Sequence, residues 1–394
     1  MPDISRHALN IEDLRQMARR RLTRGLFQFI DKGSEDDIAL AHNREALARI
    51  KLRSRVLNDT STRDPRSTLF GKPVGMPVVI GPPGPAGFVW YRGETVLAKA
   101  AARMGVPFTM ANTANTPMEK ILADGGGRQW AQFYVWRDMA ASLKYVERAR
   151  AAGFEALVVT VDSTIPYNRE HDIRNDVTIP FRVTSRNILD LLTHPRWLAG
   201  TIGRYVLADG HLPRFVNIAM PDGLTPLQVR DFLFKNDTLN WEFLRRIRDM
   251  WPRTLIVKGI MHPDDAVKCA ECGAEGVIVS NHGAIASDSA PAPIDVLPSI
   301  VAAVGDRMTV IGDSGFRRGS DILKGLALGA DAVIVGRATL YGASAAGEAG
   351  ARRALEILHA EMKRTMGVLA ITDVSQLSRD HVIVPPDSLM NVIG

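Results

Sequence analysis

The sequence predicts a (β/α)8 barrel with an N-terminal helical cap and one long insertion after the fourth strand. Three observations predict it. Eight short, apolar, β-branched runs occur in order, each of the length and composition of a buried parallel strand. Each is followed, after its turn, by a segment whose apolar residues recur with the 3.6-residue period of a helix. The residues just beyond the runs are polar or rich in Gly and Pro, as on the rim where such barrels gather ligands. A doubly wound open sheet is the runner-up, but no G-x-G-x-x-G follows the first strand as a dinucleotide fold would want.

Taken in order, residues 11–22, 23–32 and 36–50 read as amphipathic helices, with Asn10 a cap for the first. Residues 51–70 read as irregular, and 1–70 together are expected to cap one end of the domain. The strand runs are 76–80, 107–111, 130–135, 156–161, 254–257, 276–279, 308–311 and 332–335. Helices are expected at 93–104, 116–124, 139–152, 240–250, 263–272, 293–304, 318–328 and 347–366. The whole chain, 1–394, reads as a single domain.

The exception is the fourth crossover, 163–239, which exceeds what a minimal barrel needs. Within it, 186–208 is apolar and Trp-bearing (Ile188, Leu189, Leu192, Trp197, Tyr205, Leu207). Arg182, Arg186, Arg196, Arg204 and Arg214 punctuate this stretch and its flanks. Two readings stay open: a segment lying on an anionic membrane surface without crossing it, or an excursion packed on the barrel or a neighbouring subunit.

Composition bounds the partners. With 394 residues, 46% apolar and 23% charged, the chain can bury a large core. A net charge of +6 tolerates anionic partners, but no dense Lys/Arg stripe is interleaved with aromatics, so nucleic acid is not expected. No N-terminal run has the apolar core of a signal peptide, and none reaches the ~18–20 apolar residues of a spanning helix. The expected compartment is the cytoplasm, with peripheral attachment to the inner face of the membrane open through 186–208. The two cysteines, Cys269 and Cys272, form a C-x-x-C pair inside a helical pattern and read as structural, not redox. No metal site is assigned.

The chemistry is expected on the rim. The first strand runs into Gly81-Pro82-Pro83-Gly84, a rigid surface poor in side chains, against which a flat ring could lie. The second ends at Ala111-Asn112, the third carries Gln132 and Tyr134, and the fourth ends Thr160-Val161-Asp162. The fifth ends Lys258-Gly259, the sixth Ser280-Asn281-His282, the seventh Asp313-Ser314-Gly315, and the eighth Gly336-Arg337. Stability alone does not need a Lys, a His, two Asp and a Tyr converging on one mouth. His282 with Asp162 could make a base whose imidazolium a carboxylate stabilises. Lys258 would place a fixed positive charge near a ring that accumulates electrons. Gly312 to Gly319, with Gly336-Arg337, fits the place where barrels often bind phosphate: glycines expose backbone N–H groups, the next helix offers its N-terminus, and Arg supplies a fork.

These motifs resemble the FMN-dependent α-hydroxy-acid oxidases and dehydrogenases. The resemblance rests on Gln-x-Tyr at 132–134, Thr-Val-Asp at 160–162, Val-Lys-Gly at 257–259, Ser-Asn-His-Gly at 280–283 and Gly-Asp-Ser-Gly-x-Arg-Arg-Gly at 312–319. Leu-Asn-Asp at 57–59, Tyr-Val-Trp at 134–136 and His-Pro-Arg-Trp at 194–197 are closest to the mandelate dehydrogenase branch. The resemblance implies FMN as cofactor, His282 as general base supported by Asp162, and Tyr134 bonded to the substrate. It implies Lys258 near the reduced flavin, and Gln132, Thr160 and Ser280 on its ring and ribityl chain. It places Pro82, Pro83, Gly84 and Ala111 at the flavin face, and Asp313, Ser314, Gly315, Arg317, Gly336 and Arg337 on ribityl and phosphate. Arg169 matches one of two arginines that grip the substrate carboxylate. In that branch the insertion attaches the protein to a membrane, quinone takes the electrons, Gly84 goes with slow reaction with oxygen, and the family analogy suggests a homotetramer.

The departures bear on the substrate. The second carboxylate arginine of the family falls at Ile285, and its N-terminal tyrosine at Phe29. A serine that usually faces the flavin is Ala111, a threonine on the first strand's loop is Pro83, and a bulky aromatic over the substrate is Thr113. The leading expectation is therefore oxidation of a bulky or aromatic, mandelate-like 2-hydroxy acid held by Arg169 alone. The first alternative is the same chemistry on an alcohol, ester, amide or amine without a carboxylate. A non-redox FMN isomerase or an inactive binding protein comes after that.

Overall fold

A computed structural model describes residues 4–84, 86–177, 184–218 and 236–390. The eight runs are strands β1 (Val78–Ile80), β2 (Phe108–Met110), β3 (Gln129–Tyr134), β4 (Ala156–Thr160), β5 (Thr254–Ile260), β6 (Gly276–Val279), β7 (Thr309–Gly312) and β8 (Ala332–Val335). They close into a barrel in sequence order, every neighbouring pair parallel, with β8 returning to β1 through Val333 opposite Val78. Closure excludes the open sheet. The barrel strands are buried along nearly all their length, which is why they read as unbroken apolar runs.

The end of one strand shapes the mouth. β5 extends to Ile260 because a bulge between Lys258 and Ile260 lets the strand bend at Gly259, φ +104°. Inside the barrel Val79, Trp130, Val158, Ile256, Ile278 and Ile334 are buried in one apolar cluster.

Residues 51–70 are not wholly irregular. Lys51–Leu52 pairs antiparallel with Val382–Ile383, and Ser67–Leu69 forms a hairpin with Lys72–Val74. Phe70, at the hairpin tip with φ +52°, meets Trp130 edge-on at 5.7 Å and stoppers the barrel's N-terminal end. Strands this short draw their stability from partners and burial, and no local pattern announces them.

Helix Ile11–Arg21 starts at a capping box between Asn10 and Asp13 and packs on the long C-terminal helix. Helices Arg24–Asp31 and Ile38–Arg49 then cross to the mouth. There Asn43 bonds Asn281, and Ser34 N–H donates to Ala284 O at 2.9 Å. The helix expected at 347–366 belongs to a longer one, Arg337–Leu369, broken at Ala346 and Gly347.

The insertion contains helices Ser185–Thr193 and Arg204–Asp209, joined by a wound stretch that includes Pro195–Trp197 and Leu198–Gly203. Trp197 and Tyr205 are buried against the barrel, and the indole N–H of Trp197 donates to Phe88 O at 2.8 Å. Leu189, Leu192 and Leu207 point outward, 69%, 65% and 89% exposed. Arg182 and the stretch 219–235 lie outside the described residues, as does the side chain of Arg186. Cys269 and Cys272 are free and buried, and burial pushes the Cys269 thiol up to about 12, where a thiolate nucleophile is not available.

Candidate active site

A cavity of about 530 Å³ opens at the C-terminal ends of the strands, inside the ~300–1,000 Å³ range of small-molecule sites. His282 stands at its floor on the turn after β6. That turn runs left-handed through His282, Gly283 and Ala284, with φ of +58°, +65° and +64°. A left-handed histidine and alanine each cost roughly 1–3 kcal/mol. Side chains hold them there. His282 N–H donates to Ser280 Oγ (3.0 Å), Gly283 N–H to Ser314 Oγ (3.0 Å) and Ala284 N–H to Asn281 Oδ1 (3.0 Å).

The imidazole is fixed from both sides. Its Nδ1 lies 2.9 Å from Asp162 Oδ1, and its Nε2 lies 3.1 Å from the Tyr134 hydroxyl. Asp162 reaches this position because Gly259 has no Cβ: one built there would sit 2.6 Å from the Asp162 side chain. Burial works against the charge on Asp162, but His282 and Lys258 outweigh it, and the carboxyl stays below its usual range. Burial, reinforced by the Asp162 charge, pushes Tyr134 well above the usual phenol range, so it remains a hydrogen-bond donor.

Lys258, buried at the end of β5, places Nζ 2.9 Å from Ser280 Oγ and 3.5 Å from Asp313 Oδ2, and Ser280 donates to Asp313 at 2.6 Å. Gln132 Nε2 donates to Thr160 Oγ1 at 2.9 Å, while its Oε1 accepts from Asn112 N–H at 3.2 Å. Lys258, Tyr134, His282 and Asp313 line the cavity, whereas Gln132, Thr160, Ser280 and Asp162 stand directly behind its wall.

Gly81, Pro82, Pro83, Gly84 and Ala111 make one side of the cavity nearly free of side chains. A Cβ on Gly84 would come within 2.6 Å of Thr113 Oγ1, so this wall is tight as well as flat. At the far end Ser314 (φ +72°), Gly315 (φ +91°), Arg317, Gly336 and Arg337 line the space.

Two sequence expectations are corrected here. Several N–H groups at the start of the helix after β7, Gly319–Ala327, are already taken: Asp321 accepts from Arg317 and Arg318 N–H at 3.0 Å, and Glu361 from Gly319 N–H at 2.8 Å. The uncapped helix start at this end is Gly336-Arg337, where no side chain caps the N-terminus. Nor is the Arg337 guanidinium a free fork. Its three nitrogens donate to the carbonyls of Ile30, Gly283 and Lys32 at 2.8–3.0 Å, which ties the cap to the rim, and burial lowers its pKa to about 10.

At the substrate end Phe29, Thr113, Arg169 and Ile285 all line the cavity. Arg169 is heavily engaged. It donates to Asp172 Oδ2 at 2.8 Å and to Phe29 O at 2.5 Å, and lies 4.8 Å over the Phe29 ring. Tyr167, Asp172, Asp176, Ile173 and Phe215 also line this end and were not singled out from sequence. Following the chain from Asp162 as far as Asp176, into the insertion, would have reached all of them but Phe215.

The residues fit FMN: a wall of Gly, Pro and Ala with few side chains, a buried lysine on the floor, and Arg317 beside an uncapped helix start at the far end. A closed (β/α)8 barrel carrying these beside a His–Asp pair defines a flavin-dependent oxidoreductase. The chain belongs to the FMN-dependent dehydrogenase family, whose pattern matches residues 18–384. It is 37% identical over 382 residues to (S)-mandelate dehydrogenase of Pseudomonas putida, covering 96% of this chain and 95% of that one. It is 38% identical over 371 residues to L-lactate dehydrogenase of Caulobacter vibrioides, covering 93% and 95%. Among solved structures, that of the monotopic membrane protein (S)-mandelate dehydrogenase superposes with a TM-score of 0.90 at 35% identity, covering 96% of this chain and all of that one.

Proposed function

We propose that this FMN-dependent oxidoreductase, which acts on CH–OH, oxidises a carbon that carries a bulky or aromatic group, in the first instance a mandelate-like 2-hydroxy acid going to the 2-keto acid. One observation carries the reading: His282 Nε2 faces the cavity beside the Tyr134 hydroxyl while Nδ1 is held by an ionised Asp162. When bound, FMN supplies a two-electron acceptor. Tyr134 orients the substrate hydroxyl toward Nε2, His282 takes its proton, and the adjacent carboxylate compensates the imidazolium. Lys258 holds positive charge at the floor, balanced through Ser280 by Asp313. Phe29, Ile173, Val177, Phe215 and Ile285 give the substrate end its apolar lining.

A second reading is an uncharged derivative of such an acid, favoured by the pairing of Arg169 with Asp172. Anaerobic titration with (S)-mandelate and L-lactate, following the visible flavin band, tests the first. Bleaching by mandelate at lower concentration than lactate is the expected result; a band that stays oxidised with every 2-hydroxy acid overturns it.

We also infer that the whole chain serves this one site, and that electrons leave to a quinone or another acceptor in preference to oxygen. The outward Leu189, Leu192 and Leu207 support a peripheral membrane contact on the cytoplasmic side, and among the described residues no helix is long and apolar enough to cross a membrane. Homotetramer formation completes the proposal, and light scattering of the purified protein checks it.

A further inference from the structure

We propose that Tyr167 is a specificity-determining residue, whose phenol hydroxyl, steadied by Ser163 beside the base, presents an uncharged hydrogen-bond donor to the carbonyl oxygen of a 2-hydroxy amide or ester. The proposal rests on the reading of His282 as the base of CH–OH oxidation and selects the uncharged member of that substrate class.

Position comes first. Tyr167 lines the cavity. Its hydroxyl lies 3.5 Å from His282 Nδ1, and its ring is tilted 55° to the imidazole at a centroid distance of 5.5 Å. The Nδ1 atom already has a shorter partner in Asp162 at 2.9 Å, so the phenol adds little to the hold on the base. The same hydroxyl is hydrogen-bonded to Ser163, whose Oγ stands 3.5 Å from Nδ1. With Ser163 donating to the phenol oxygen, the phenol proton is the one that a carbonyl entering the cavity takes. Burial and the neighbouring Tyr134 and Asp162 keep that phenol protonated, so Tyr167 offers a neutral donor throughout the neutral range.

Charge comes second. A carboxylate needs donors whose positive charge is not already spent. The Arg169 guanidinium is in an ion pair with Asp172 at 2.8 Å, and Asp176 lines the same end, so carboxylates outnumber guanidinium there. Lys258, Arg317 and Arg337 stand on the side assigned to the cofactor. A free carboxylate entering between Asp172, Asp176 and the apolar Phe29 and Ile285 loses hydration without matching charge. An amide or ester carbonyl carries no such penalty and is served by one neutral donor. Tyr167 is that donor.

The test uses the full-length, FMN-loaded protein and two oxidised ligands, 2-oxo-2-phenylacetamide and 2-oxo-2-phenylacetate, whose binding is read from perturbation of the flavin band. Wild type is expected to bind the amide at least as tightly as the acid. Tyr167→Phe is expected to weaken the amide about three- to tenfold and leave the acid within about twofold, as for loss of one neutral hydrogen bond. Ser163→Ala should move the amide in the same direction by less. Equal weakening of both ligands, no weakening, or a wild-type preference for the acid overturns the proposal. So does a Tyr167→Phe effect confined to the pH profile of flavin reduction, because that would make the residue a support of the base alone. Reduction by 2-hydroxy-2-phenylacetamide is followed in parallel. Selective binding without reduction would leave Tyr167 as a specificity residue and overturn the role given to His282.

Discussion

His282 is held in a backbone conformation that a histidine rarely adopts, with one ring nitrogen on a carboxylate and the other on a phenol. Replacing Asp162 by Asn keeps the shape and removes the charge that compensates the imidazolium. Flavin reduction in stopped flow is expected to slow by about 10²–10⁴, with FMN still bound. The same pair makes a statement about pH. The carboxyl of Asp162 is held below its ordinary value of 3.8, so the stability it contributes is fully present above that value. It is lost as pH falls through the folded-state pKa. Acid unfolding followed by circular dichroism should therefore set in at higher pH when the His282–Asp162 pair is intact than in Asp162→Asn, once each is referred to its own neutral stability. Ile285→Arg tests the substrate end. A second guanidinium beside Phe29 should improve kcat/KM for simple 2-hydroxy acids by about 10- to 100-fold, the worth of one charge-assisted hydrogen bond. No gain with the fold intact would remove this account of selectivity.

Among the elements, β5 shows how a strand irregularity builds a site. The bulge at Gly259 turns Lys258 into the mouth and leaves room for Asp162 next door. Gly259→Ala brings two effects together: a φ of +104° that alanine resists, and a methyl 2.6 Å from the Asp162 side chain. The expected outcome is a fall in flavin reduction comparable to that of Asp162→Asn, with a melting temperature lowered but a cooperative transition retained. The insertion shows the opposite division of labour. Leu191, Trp197 and Tyr205 anchor its inward side, while Leu189, Leu192 and Leu207 on the same helical stretch face outward with no covering element among the described residues.

For the whole molecule, the outward leucines bear on where the protein sits. Leu189→Ser, Leu192→Ser and Leu207→Ser together remove three side chains that contribute nothing to the described core. This triple variant should lose co-sedimentation with anionic vesicles and reduce its flavin at an unchanged rate. Retained binding would overturn the assignment of this face to the membrane.

Much of the architecture was legible because barrel strands are buried on both faces, so Val277 to Val279 or Ala332 to Val335 can be nothing but apolar, and their ends announce the rim. His282, Asp162, Lys258 and Tyr134 were found by that rule alone. By itself the sequence determined the eight-unit repeat and the chemistry on offer, since periodicity and strand-end residues are local properties, and its motifs carried the resemblance to the family. Only the tertiary structure decided how these groups are spent. Arg169 is paired with Asp172, Arg337 braces the cap through three carbonyls, the open helix start belongs to Arg337 and not to Gly319, and Tyr167 enters the site from the insertion. The Arg337 contacts join segments far apart in the chain, and the Arg169–Asp172 pair, though only three residues apart, forms only once the insertion has taken its local shape.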